Sequence, residues 1–413
     1  MVIVGAGEAG CAAALGLRAN GYGGPVALIG EEAQAPYERP PLSKPPTNGG
    51  AIEPKPIVTP SGLASAGITF LESTRVASID RSAQTVAVGD GGIFAYDKLL
   101  LATGASPRRL NGLPTHERIM TVRTLDDARR FCRAVRPGVR LAMVGAGFIG
   151  LELAAFARQR GAEVVVLEAQ ERVLKRGVPA PIAAIIAARH SAEGVRIMAN
   201  ARIVEASLGP SQVAIRLGTG ETLLADHVVV GVGASPNDGL ARASGLACDD
   251  GIVVDGSLAT LDPHIFAAGD CCRFPVALYC GRHARLESWR SAREQGEHAA
   301  SAMLGDPAPF DAVPWFWSDQ YELGLQVVGL AELSAGSVER KLRDDGLIVF
   351  DQAADGRLLA ASAIGPGTSA AREIKVAEQL IRSRRGIDPA LLADGGVSLK
   401  SLLRPEAIAG AAS

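Results

Sequence analysis

Two glycine loops of the same form, 140 residues apart, constrain the fold of this chain more than any other feature. Residues 5–10 read GAGEAG and follow the apolar run Val2–Val4; residues 145–150 read GAGFIG and follow the apolar run Leu141–Val144. In a Gly-x-Gly-x-x-Gly loop the first glycine permits a tight turn, the second lets the backbone approach a pyrophosphate, and the third lets helix and strand pack closely. Each loop therefore predicts a strand, a phosphate-binding turn and a helix.

An acidic residue follows each loop at the spacing of a ribose contact. A second apolar strand at Val26–Ile29 precedes Glu31, and another at Glu163–Leu167 precedes Glu168. A carboxylate about 20 residues after the last glycine can accept hydrogen bonds from the ribose hydroxyls of a dinucleotide. A turn that binds nothing is the alternative for a single loop. Two loops in the same context favour two dinucleotide sites.

A second internal repeat supports the first. Residues 99–107 read LLLATGASP and residues 228–236 read VVVGVGASP, an offset of 129 residues in the same order as the loops. We predict an α/β protein with two Rossmann-like, doubly wound domains of the glutathione-reductase type and a C-terminal α+β domain.

Domain boundaries follow from these repeats and from a change of composition. Aromatic residues concentrate at 315–321, strands are predicted at 325–330 and 346–350, and a helix at 370–384, after a linker at Pro307–Pro309. The predicted divisions are one dinucleotide-binding domain at 1–108 and 234–308, a second at 109–233 and a C-terminal domain at 309–413.

Composition excludes several classes of protein. Of 413 residues, 42 are Lys or Arg and 44 are Asp or Glu, so the net charge of −2 disfavours nucleic-acid and membrane-surface partners. The six cysteines contain no Cys-x-x-Cys pair and the six histidines share no metal-ligand spacing. We therefore expect no metal, no membrane span and a reducing, cytoplasmic location.

A third motif is the apolar run 265–268, which ends in Gly269 and Asp270. A carboxylate at such a strand tip can accept a hydroxyl hydrogen bond from a polyol, which in flavoproteins with two dinucleotide folds is the ribityl chain of FAD. The alternative is an aspartate that caps a following helix.

At this point the sequence resembles the FAD-dependent ferredoxin reductases that use NADH and serve Rieske-type aromatic oxygenases and bacterial P450 systems. The resemblance covers essentially the whole chain, and its two specific strings are PPLSK at 40–44 and WSDQ at 317–320. Further matches are RPPLSK at 39–44, ATG at 102–104, RTL at 123–125, Glu152 after the second loop, AGD at 268–270 and ESW at 287–289. In this family the first loop holds FAD and the second holds NADH, so the resemblance implies an FAD-binding domain at 1–108 and 234–308 and an NAD-binding domain at 109–233.

The resemblance implies roles for individual residues. Lys44 lies beside the flavin near N5 and pairs with Glu152, and these two are the predicted catalytic residues; a surface lysine is the alternative. Arg123 reaches the FAD pyrophosphate, Asp270 binds the ribityl chain and Trp289 packs near the pyrimidine end. Trp317 flanks the nicotinamide pocket, although a tryptophan at a domain-interface core is equally consistent.

The predicted cofactor-binding positions for both sites together are Gly5, Gly7, Ala9, Gly10, Glu31, Arg39, Lys44, Val76, Ala102, Thr103, Gly104, Arg123, Gly269, Asp270, Glu287, Trp289, Gly145, Gly147, Phe148, Ile149, Gly150, Glu152, Glu168, Arg176, Gly233 and Trp317. Glu168 predicts a preference for NADH over NADPH, because a carboxylate repels a 2′-phosphate. Arg172 and Arg176 lie close by in the sequence and could weaken that preference.

The function implied is hydride transfer from NADH to FAD, followed by single-electron transfer to a [2Fe–2S] ferredoxin that feeds an oxygenase. Disulfide- and peroxide-reducing relatives place cysteines where this chain has PPLSK, so electrons are expected to leave without a thiol; Cys11 is more consistent with a small buried residue than with a reactive one. The alternatives are an NADH oxidase, a rubredoxin-type reductase, or a flavoprotein resembling apoptosis-inducing factor that acts through a partner.

The oligomeric state, monomer or homodimer, is left open by the sequence. Docking of an acidic ferredoxin requires a rim of basic residues on the reductase. The basic rim predicted from the sequence is the stretch 273–293, in which Glu287 is the one acid and five residues are arginines: Arg273, Arg282, Arg285, Arg290 and Arg293.

Overall fold

Residues 1–46, 50–89, 91–306, 308–343 and 345–404 are described by a computed structural model. The chain forms two units, each assembled from three stretches of sequence. The first unit comprises Met1–Pro41, Glu53–Ser106 and Ala234–Ala312 as far as they are described. The second unit comprises the described parts of Leu42–Ile52, Pro107–Gly233 and Val313–Ser413.

The helices of the described residues, in chain order, are α1 (Glu8–Ala19), α2 (Pro60–Ser65), α3 (Leu125–Ala134), α4 (Phe148–Gln159), α5 (Ala180–Ala192), α6 (Gly239–Ala243), α7 (Trp289–Met303), α8 (Ala371–Ser383) and α9 (Pro389–Ala393). None of these helices combines the length and apolar character that crossing a membrane requires.

The strands of the described residues are β1 (Val2–Val4), β2 (Val26–Ile29), β3 (Ile68–Leu71), β4 (Val76–Asp80), β5 (Thr85–Val88), β6 (Ile93–Ala95), β7 (Leu99–Leu101), β8 (Ala105–Pro107), β9 (Ile119–Met120), β10 (Arg140–Val144), β11 (Glu163–Leu167), β12 (Arg196–Met198), β13 (Ile203–Leu208), β14 (Val213–Leu217), β15 (Thr222–Ala225), β16 (His227–Val230), β17 (Ala234–Pro236), β18 (Ile252–Val253), β19 (Ile265–Ala267), β20 (Cys272–Val276), β21 (Arg282–Ala284), β22 (Trp315–Gln320), β23 (Leu323–Gly329), β24 (Gly336–Lys341), β25 (Leu347–Gln352) and β26 (Leu358–Pro366).

The first unit is built on a parallel sheet of order β19-β7-β1-β2-β3. Its central strand β1 is fully buried and leads directly into the first glycine loop and α1. Helix α1 packs against α7, and the two backbones approach closely at Gly296, where a Cβ would lie 2.2 Å from the carbonyl oxygen of Ala9. The small antiparallel sheet β4-β5-β6 completes the insertion between β3 and β7.

The second unit repeats this arrangement. Its parallel sheet has the order β12-β11-β10-β16-β9, and the central strand β10 leads into the second glycine loop and α4. The antiparallel sheet β13-β14-β15 corresponds to β4-β5-β6 of the first unit. The prediction of two Rossmann-like modules is confirmed, and the duplication also includes the small antiparallel sheets, which the glycine motifs did not reveal.

The C-terminal part of the second unit is an antiparallel sheet of order β22-β23-β26-β25-β24, against which α8 packs through β23 and β26. The predicted strands at 325–330 and 346–350 correspond to β23 and β25, and the predicted helix to α8. Strand β26 is buried along its length up to Pro366, because α8 covers the sheet there. Pro307 of the predicted linker lies outside the described residues, and the three-domain boundaries stay a prediction.

Candidate active site

The three glycines of the first loop have different surroundings. Gly5 has a φ of +111°, and a Cβ on it would lie 2.1 Å from the carbonyl oxygen of Ala102. A Cβ on Gly10 would lie 1.9 Å from the carbonyl oxygen of Gly5. A Cβ on Gly7 would meet nothing within 4 Å. The first and third glycines are therefore required for packing inside the protein, whereas the second leaves space beside the start of α1.

The second loop has the same division. Gly145, with a φ of +100°, would place a Cβ 2.4 Å from the carbonyl oxygen of Gly231, and Gly150 would place one 2.3 Å from that of Gly145. Gly147 again faces open space. Each loop thus opens at the N-terminus of a long helix, where backbone N–H groups and the helix dipole favour a phosphate. Both loops fit the pyrophosphate of a dinucleotide.

The acid after the second loop is held by backbone amides. Glu168 Oε2 accepts a hydrogen bond from the N–H of Ala146, inside the loop, at 2.7 Å, and Oε1 accepts one from the N–H of Gln170 at 2.8 Å. These contacts fix the carboxylate beside the second loop. This is the position that a ribose-binding acid requires.

The acid predicted after the first loop is in a different environment. The side chain of Glu31 is 68 % exposed and lies 3.5 Å from Arg75. Its neighbour Glu32 is half-buried, accepts a hydrogen bond from Tyr37 at 2.5 Å and forms an ion pair with Arg39. Glu32 is therefore the ordered carboxylate of this site, although Glu31 was the predicted one. The two adjacent glutamates at 31–32 were the feature of the sequence that could have indicated Glu32.

The Gly-Asp pair after β19 lies at the tip of a fully buried strand. Gly269 has a φ of +82°, and its N–H donates to Oε1 of the buried Gln295 at 2.8 Å. Asp270 is half-buried, and the element that follows it is strand β20. The alternative that Asp270 caps a helix is therefore wrong. In the same unit Trp289 begins α7, whose first turn is capped by the Ser288 hydroxyl.

Glu8 is a second residue that the sequence analysis missed. It is the first residue of α1, and its buried Oε2 has no hydrogen-bond partner among the residues described. Burial raises the pKa of Glu8 to about 7; Glu38 and Glu297 add to this effect, while Arg293 and the Trp289 indole oppose it. The first glycine loop thus contains a carboxyl group with a pKa near neutral pH.

We expect Glu8 to make the stability of the protein depend on pH. A carboxyl whose pKa is raised on folding stabilises the fold while it is protonated, so the contribution is full below the ordinary value of 4.5 and is lost as the pH rises to about 7. Glu8→Gln should therefore be more stable than the wild type at pH 8, by roughly 1 kcal/mol once the partial exposure of Glu8 is discounted. Thermal unfolding at pH 5 and pH 8 measures this difference.

Glu31→Gln is the matched control, since the side chain of Glu31 is mostly exposed. Its midpoint of unfolding should follow that of the wild type at both pH values. Equal pH dependence in the wild type and in Glu8→Gln would show that Glu8 does not carry the effect.

The second unit contains a buried carboxylate that holds a lysine. Glu152, on α4, has a side chain only 7 % exposed, and its two oxygens accept hydrogen bonds from Ser43 at 2.5 Å and from Ser318 at 2.6 Å. Lys44 Nζ lies 3.5 Å from Glu152 and 2.9 Å from Asp319. Burial raises the pKa of Glu152, and Lys44 is the strongest of the groups that lower it. The predicted pair is brought together, with two serines that the sequence analysis missed.

Aromatic rings line the same part of the second unit. Lys44 Nζ lies 5.3 Å from the ring centroid of Trp317, which stacks on Trp315 with centroids 5.3 Å apart. Phe148, at the second loop, contacts the ring of Phe316 edge-on, with centroids 4.9 Å apart. Trp317 is half-buried, and its position at the nicotinamide stays a prediction.

Other predicted positions are more widely distributed. In the second unit, Ile149 is 47 % exposed at the second loop, and Arg176 lies beside Gly233. The backbone N–H of Arg123 donates to Asp127 just before α3. In the first unit, the half-buried Val76 begins β4, Thr103 donates from its hydroxyl to the carbonyl of Asn237, and Gly104 follows with a φ of +68°. Glu287 pairs with Arg285.

The structure corrects the prediction of a basic rim on the first unit. The carboxylates of Asp249, Asp250, Glu294 and Glu297 lie within 3.5 Å of Arg273, Arg285, Arg290 and Arg293 respectively. Between residues 273 and 293 of the sequence, Glu287 is the one acid beside these arginines. Most of their charge is therefore neutralised locally, and the docking hypothesis loses its main support.

All six cysteines are free thiols, and no cluster of three or more His, Cys, Asp or Glu side chains in the described part of the chain could hold a metal ion. Cys11 is buried in α1, and burial raises the pKa of its thiol. Burial raises the pKa of the Cys271 and Cys272 thiols as well. The cysteines therefore pack in the interior or stand alone.

Comparison with known proteins places this geometry in a family. Residues 1–296 match the model of the pyridine nucleotide-disulphide oxidoreductases, and residues 315–403 match that of the reductase C-terminal domain. Putidaredoxin reductase of Pseudomonas putida is 37% identical over 98% of this chain and 96% of its own. The ferredoxin–NAD(+) reductase component of the anthranilate 1,2-dioxygenase system of Burkholderia cepacia is 39% identical over 97% of this chain and 98% of its own.

The solved structures agree with the sequence relatives. The covalent putidaredoxin reductase–putidaredoxin complex contains a chain that matches with a TM-score of 0.91 and 37% identity, covering 97% of both chains. The chain belongs to the pyridine nucleotide-disulphide oxidoreductase family, and it is an oxidoreductase whose family implies a flavin and a pyridine nucleotide. Within that family it groups with the ferredoxin–NAD(+) reductases, so the resemblance noted from the motifs is confirmed.

Proposed function

We propose that this chain is a cytoplasmic, NADH-dependent FAD reductase that supplies electrons to a [2Fe–2S] ferredoxin of an oxygenase system. One relative named above is the ferredoxin–NAD(+) reductase component of a dioxygenase system and the other is a putidaredoxin reductase, and both match over nearly their whole length. When bound, FAD accepts a hydride from NADH and releases electrons one at a time, which suits a one-electron acceptor. A cytoplasmic location agrees with the supply of NADH and with six free thiols.

In this proposal the first unit holds FAD. The open space at Gly7 and the N-terminus of α1 receive the pyrophosphate, Glu32 or Glu31 binds the adenosine ribose, and Asp270 accepts a hydroxyl of the ribityl chain. Arg39 holds Glu32 in place through an ion pair. The donor set is that of a dinucleotide site: backbone amides for phosphate and carboxylates for hydroxyl groups.

The second unit holds NADH in the same manner, with Gly147 and α4 at the pyrophosphate and Glu168 at the ribose. The observation that carries the proposal is the Lys44–Glu152 pair on this unit. Glu152 keeps the lysine ammonium in a fixed, partly desolvated position, and fixed charge in such a position can favour transfer of a negative hydride. We propose that this pair serves NADH-dependent reduction of the flavin.

The test is reduction of cytochrome c by the purified yellow protein with NADH, in the presence and absence of a [2Fe–2S] ferredoxin. We expect turnover that depends on the ferredoxin and only slow oxygen consumption without it. Ferredoxin-independent oxygen consumption at a comparable rate would support the NADH oxidase alternative. Bound FAD with no reduction by NADH would support a role through partner binding.

Cofactor preference gives a separate prediction. Glu168→Ser removes a carboxylate that backbone amides fix beside the second loop, and with it the repulsion of a 2′-phosphate. We expect the ratio of kcat/KM for NADH to that for NADPH to fall by about 10- to 100-fold, which corresponds to roughly 1.4–2.8 kcal/mol. Steady-state kinetics with both cofactors and a small neutral acceptor measure the ratio.

Glu171→Ser is a control on the same segment, since that side chain is about half exposed and pairs with Lys175. It should leave the ratio unchanged. A wild-type protein that uses both cofactors with similar kcat/KM would show that the role of Glu168 is assigned wrongly.

A further inference from the structure

Glu152 is the end of a hydrogen-bond chain that continues through the second unit. Gln320 donates from Nε2 to the Ser318 hydroxyl at 3.1 Å, and its Oε1 lies 2.8 Å from Nε2 of His190. The Tyr321 hydroxyl lies 3.4 Å from Nδ1 of the same histidine. Ser318, Gln320 and His190 are 1%, 3% and 0% exposed. The proposed function uses none of these three side chains directly.

When Glu152 is ionised, its charge fixes the direction of every hydrogen bond in this chain. An ionised carboxylate can only accept, so the Ser318 hydroxyl donates to it and accepts from the amide nitrogen of Gln320. The carbonyl oxygen of Gln320 then faces His190, whose Nε2 must carry the proton. Nδ1 of His190 is left as an acceptor for the Tyr321 hydroxyl. One orientation satisfies all members, and all donors point toward Glu152.

The charges around the chain favour a neutral histidine. Burial lowers the pKa of His190, and the neighbouring Arg189 acts in the same direction. The Arg189 guanidinium lies 4.6 Å from the centroid of the Tyr321 ring and pairs with Glu193 and Glu322. At the other end of the chain, Lys44 and Asp319 are the charged groups that face Glu152.

We propose that His190 is a positioning residue for Glu152: through Gln320 and Ser318 it holds a hydroxyl donor on the carboxylate and so keeps it ionised against Lys44. The inference rests on the proposed role of the Lys44–Glu152 pair in flavin reduction. Its effect is exerted within the second unit through neutral side chains, so no proton has to move along the chain.

The amide of Gln320 explains how loss of the histidine reaches the carboxylate. Without a donor at Nε2, the Gln320 carbonyl is buried with no partner, which is costly. In His190→Leu either orientation of the amide leaves one end without a partner, so the histidine no longer favours the native orientation over its 180° rotation. In the rotated orientation the carbonyl faces Ser318, and the Ser318 hydroxyl donates to Gln320. Glu152 loses one of its two hydroxyl donors, and its protonated form becomes more favourable.

The experiment compares His190→Leu, which removes the donor, with His190→Gln, which keeps an N–H at a similar reach. Both variants lose the ring that packs edge-on against Tyr321, so a purely structural role affects them alike. Infrared pH titration of the oxidised, FAD-loaded protein without NADH reports protonation of Glu152, whose band is identified by its loss in Glu152→Gln.

We expect the Glu152 carboxyl in His190→Leu to titrate about one pH unit higher than in the wild type, and in His190→Gln to stay near the wild type. In anaerobic stopped-flow measurements, reduction of the flavin by NADH at a pH on the acid limb should slow by about tenfold in His190→Leu. At high pH the rate of flavin reduction in His190→Leu should equal that of the wild type. Equal titration of the two variants, or no shift in either, overturns the proposal.

Ser318→Ala tests the route by which the histidine acts, and it gives a separate readout if His190→Leu alone does not fold. It should produce the same shift by itself, and Ser318→Ala with His190→Leu should match it, because the histidine acts only through the serine. A shift that adds in the double variant overturns the proposal. A shifted titration of Glu152 together with an unchanged rate of flavin reduction by NADH would support the hydrogen-bond chain and would contradict the proposed role of the Lys44–Glu152 pair.

Discussion

Gly7→Ala is expected to yield a folded protein that has lost FAD, and Gly147→Ala a folded protein that keeps FAD and has lost NADH. A methyl group at either position meets no protein atom within 4 Å, so the fold tolerates it. The methyl group does occupy the space where the backbone must approach a pyrophosphate. Two hydrogen bonds to a charged group, at about 1.5–3 kcal/mol each, correspond to a loss of affinity on the order of 100-fold or more.

The measurements separate the two sites. Flavin absorbance per polypeptide after purification reports the first site, and calorimetric titration with NAD+ reports the second. Gly10→Ala and Gly150→Ala are the contrasting variants, because a Cβ there would lie 1.9 or 2.3 Å from a backbone oxygen. These two should lower the yield of folded protein. Full flavin content in Gly7→Ala would contradict the assignment of the first loop.

The two modules could be predicted from the sequence because their signals are local. A glycine at +111° beside the Ala102 carbonyl cannot be replaced, and the strand and helix on either side are set by short apolar runs. The choice between Glu31 and Glu32 was not local. It depends on Tyr37 and Arg39, which return to the strand end only in the folded chain and select the second acid.

The surroundings of Glu152 lay beyond any local pattern. Ser43 and Ser318 are 109 and 166 residues away from it in sequence, and His190 is 130 residues from Gln320. Ser43, Ser318 and Gln320 lie within the two strings that carry the resemblance, but neither string shows what their side chains contact. Only the resemblance connected Lys44 with Glu152, and it gave no reason for the serines.

The prediction of a basic rim failed for a different reason, because part of the information needed to correct it was present in the sequence. Glu294 and Glu297 stand four residues after Arg290 and Arg293 on α7, which is the spacing of helical ion pairs. The predicted rim was counted only as far as Arg293, and both of these acids were therefore left out. Asp249 and Asp250, in contrast, reach Arg273 and Arg285 through the fold of the first unit.

Removal of the lysine should have the largest effect on catalysis. Lys44→Met leaves Glu152 buried with no adjacent cation, and burial then favours the protonated carboxyl. We expect the rate of flavin reduction by NADH to fall by about 100-fold, as when one charged group that stabilises a transition state is removed. The affinity for NAD+ should change little, since the second loop and Glu168 are untouched. Anaerobic stopped-flow kinetics and calorimetric titration measure the two quantities.

The same variant has a signature in stability that identifies the cause. A carboxyl with a raised pKa stabilises the fold only while it is protonated, so Lys44→Met should lose stability as the pH rises above the ordinary value of 4.5. We expect a loss on the order of 2–3 kcal/mol relative to the wild type at pH 8, because an unpaired buried charge remains. Adding Glu152→Gln removes that charge and should restore most of the stability, while the rate stays low. A double variant as unstable at pH 8 as Lys44→Met would show that the two side chains are not coupled.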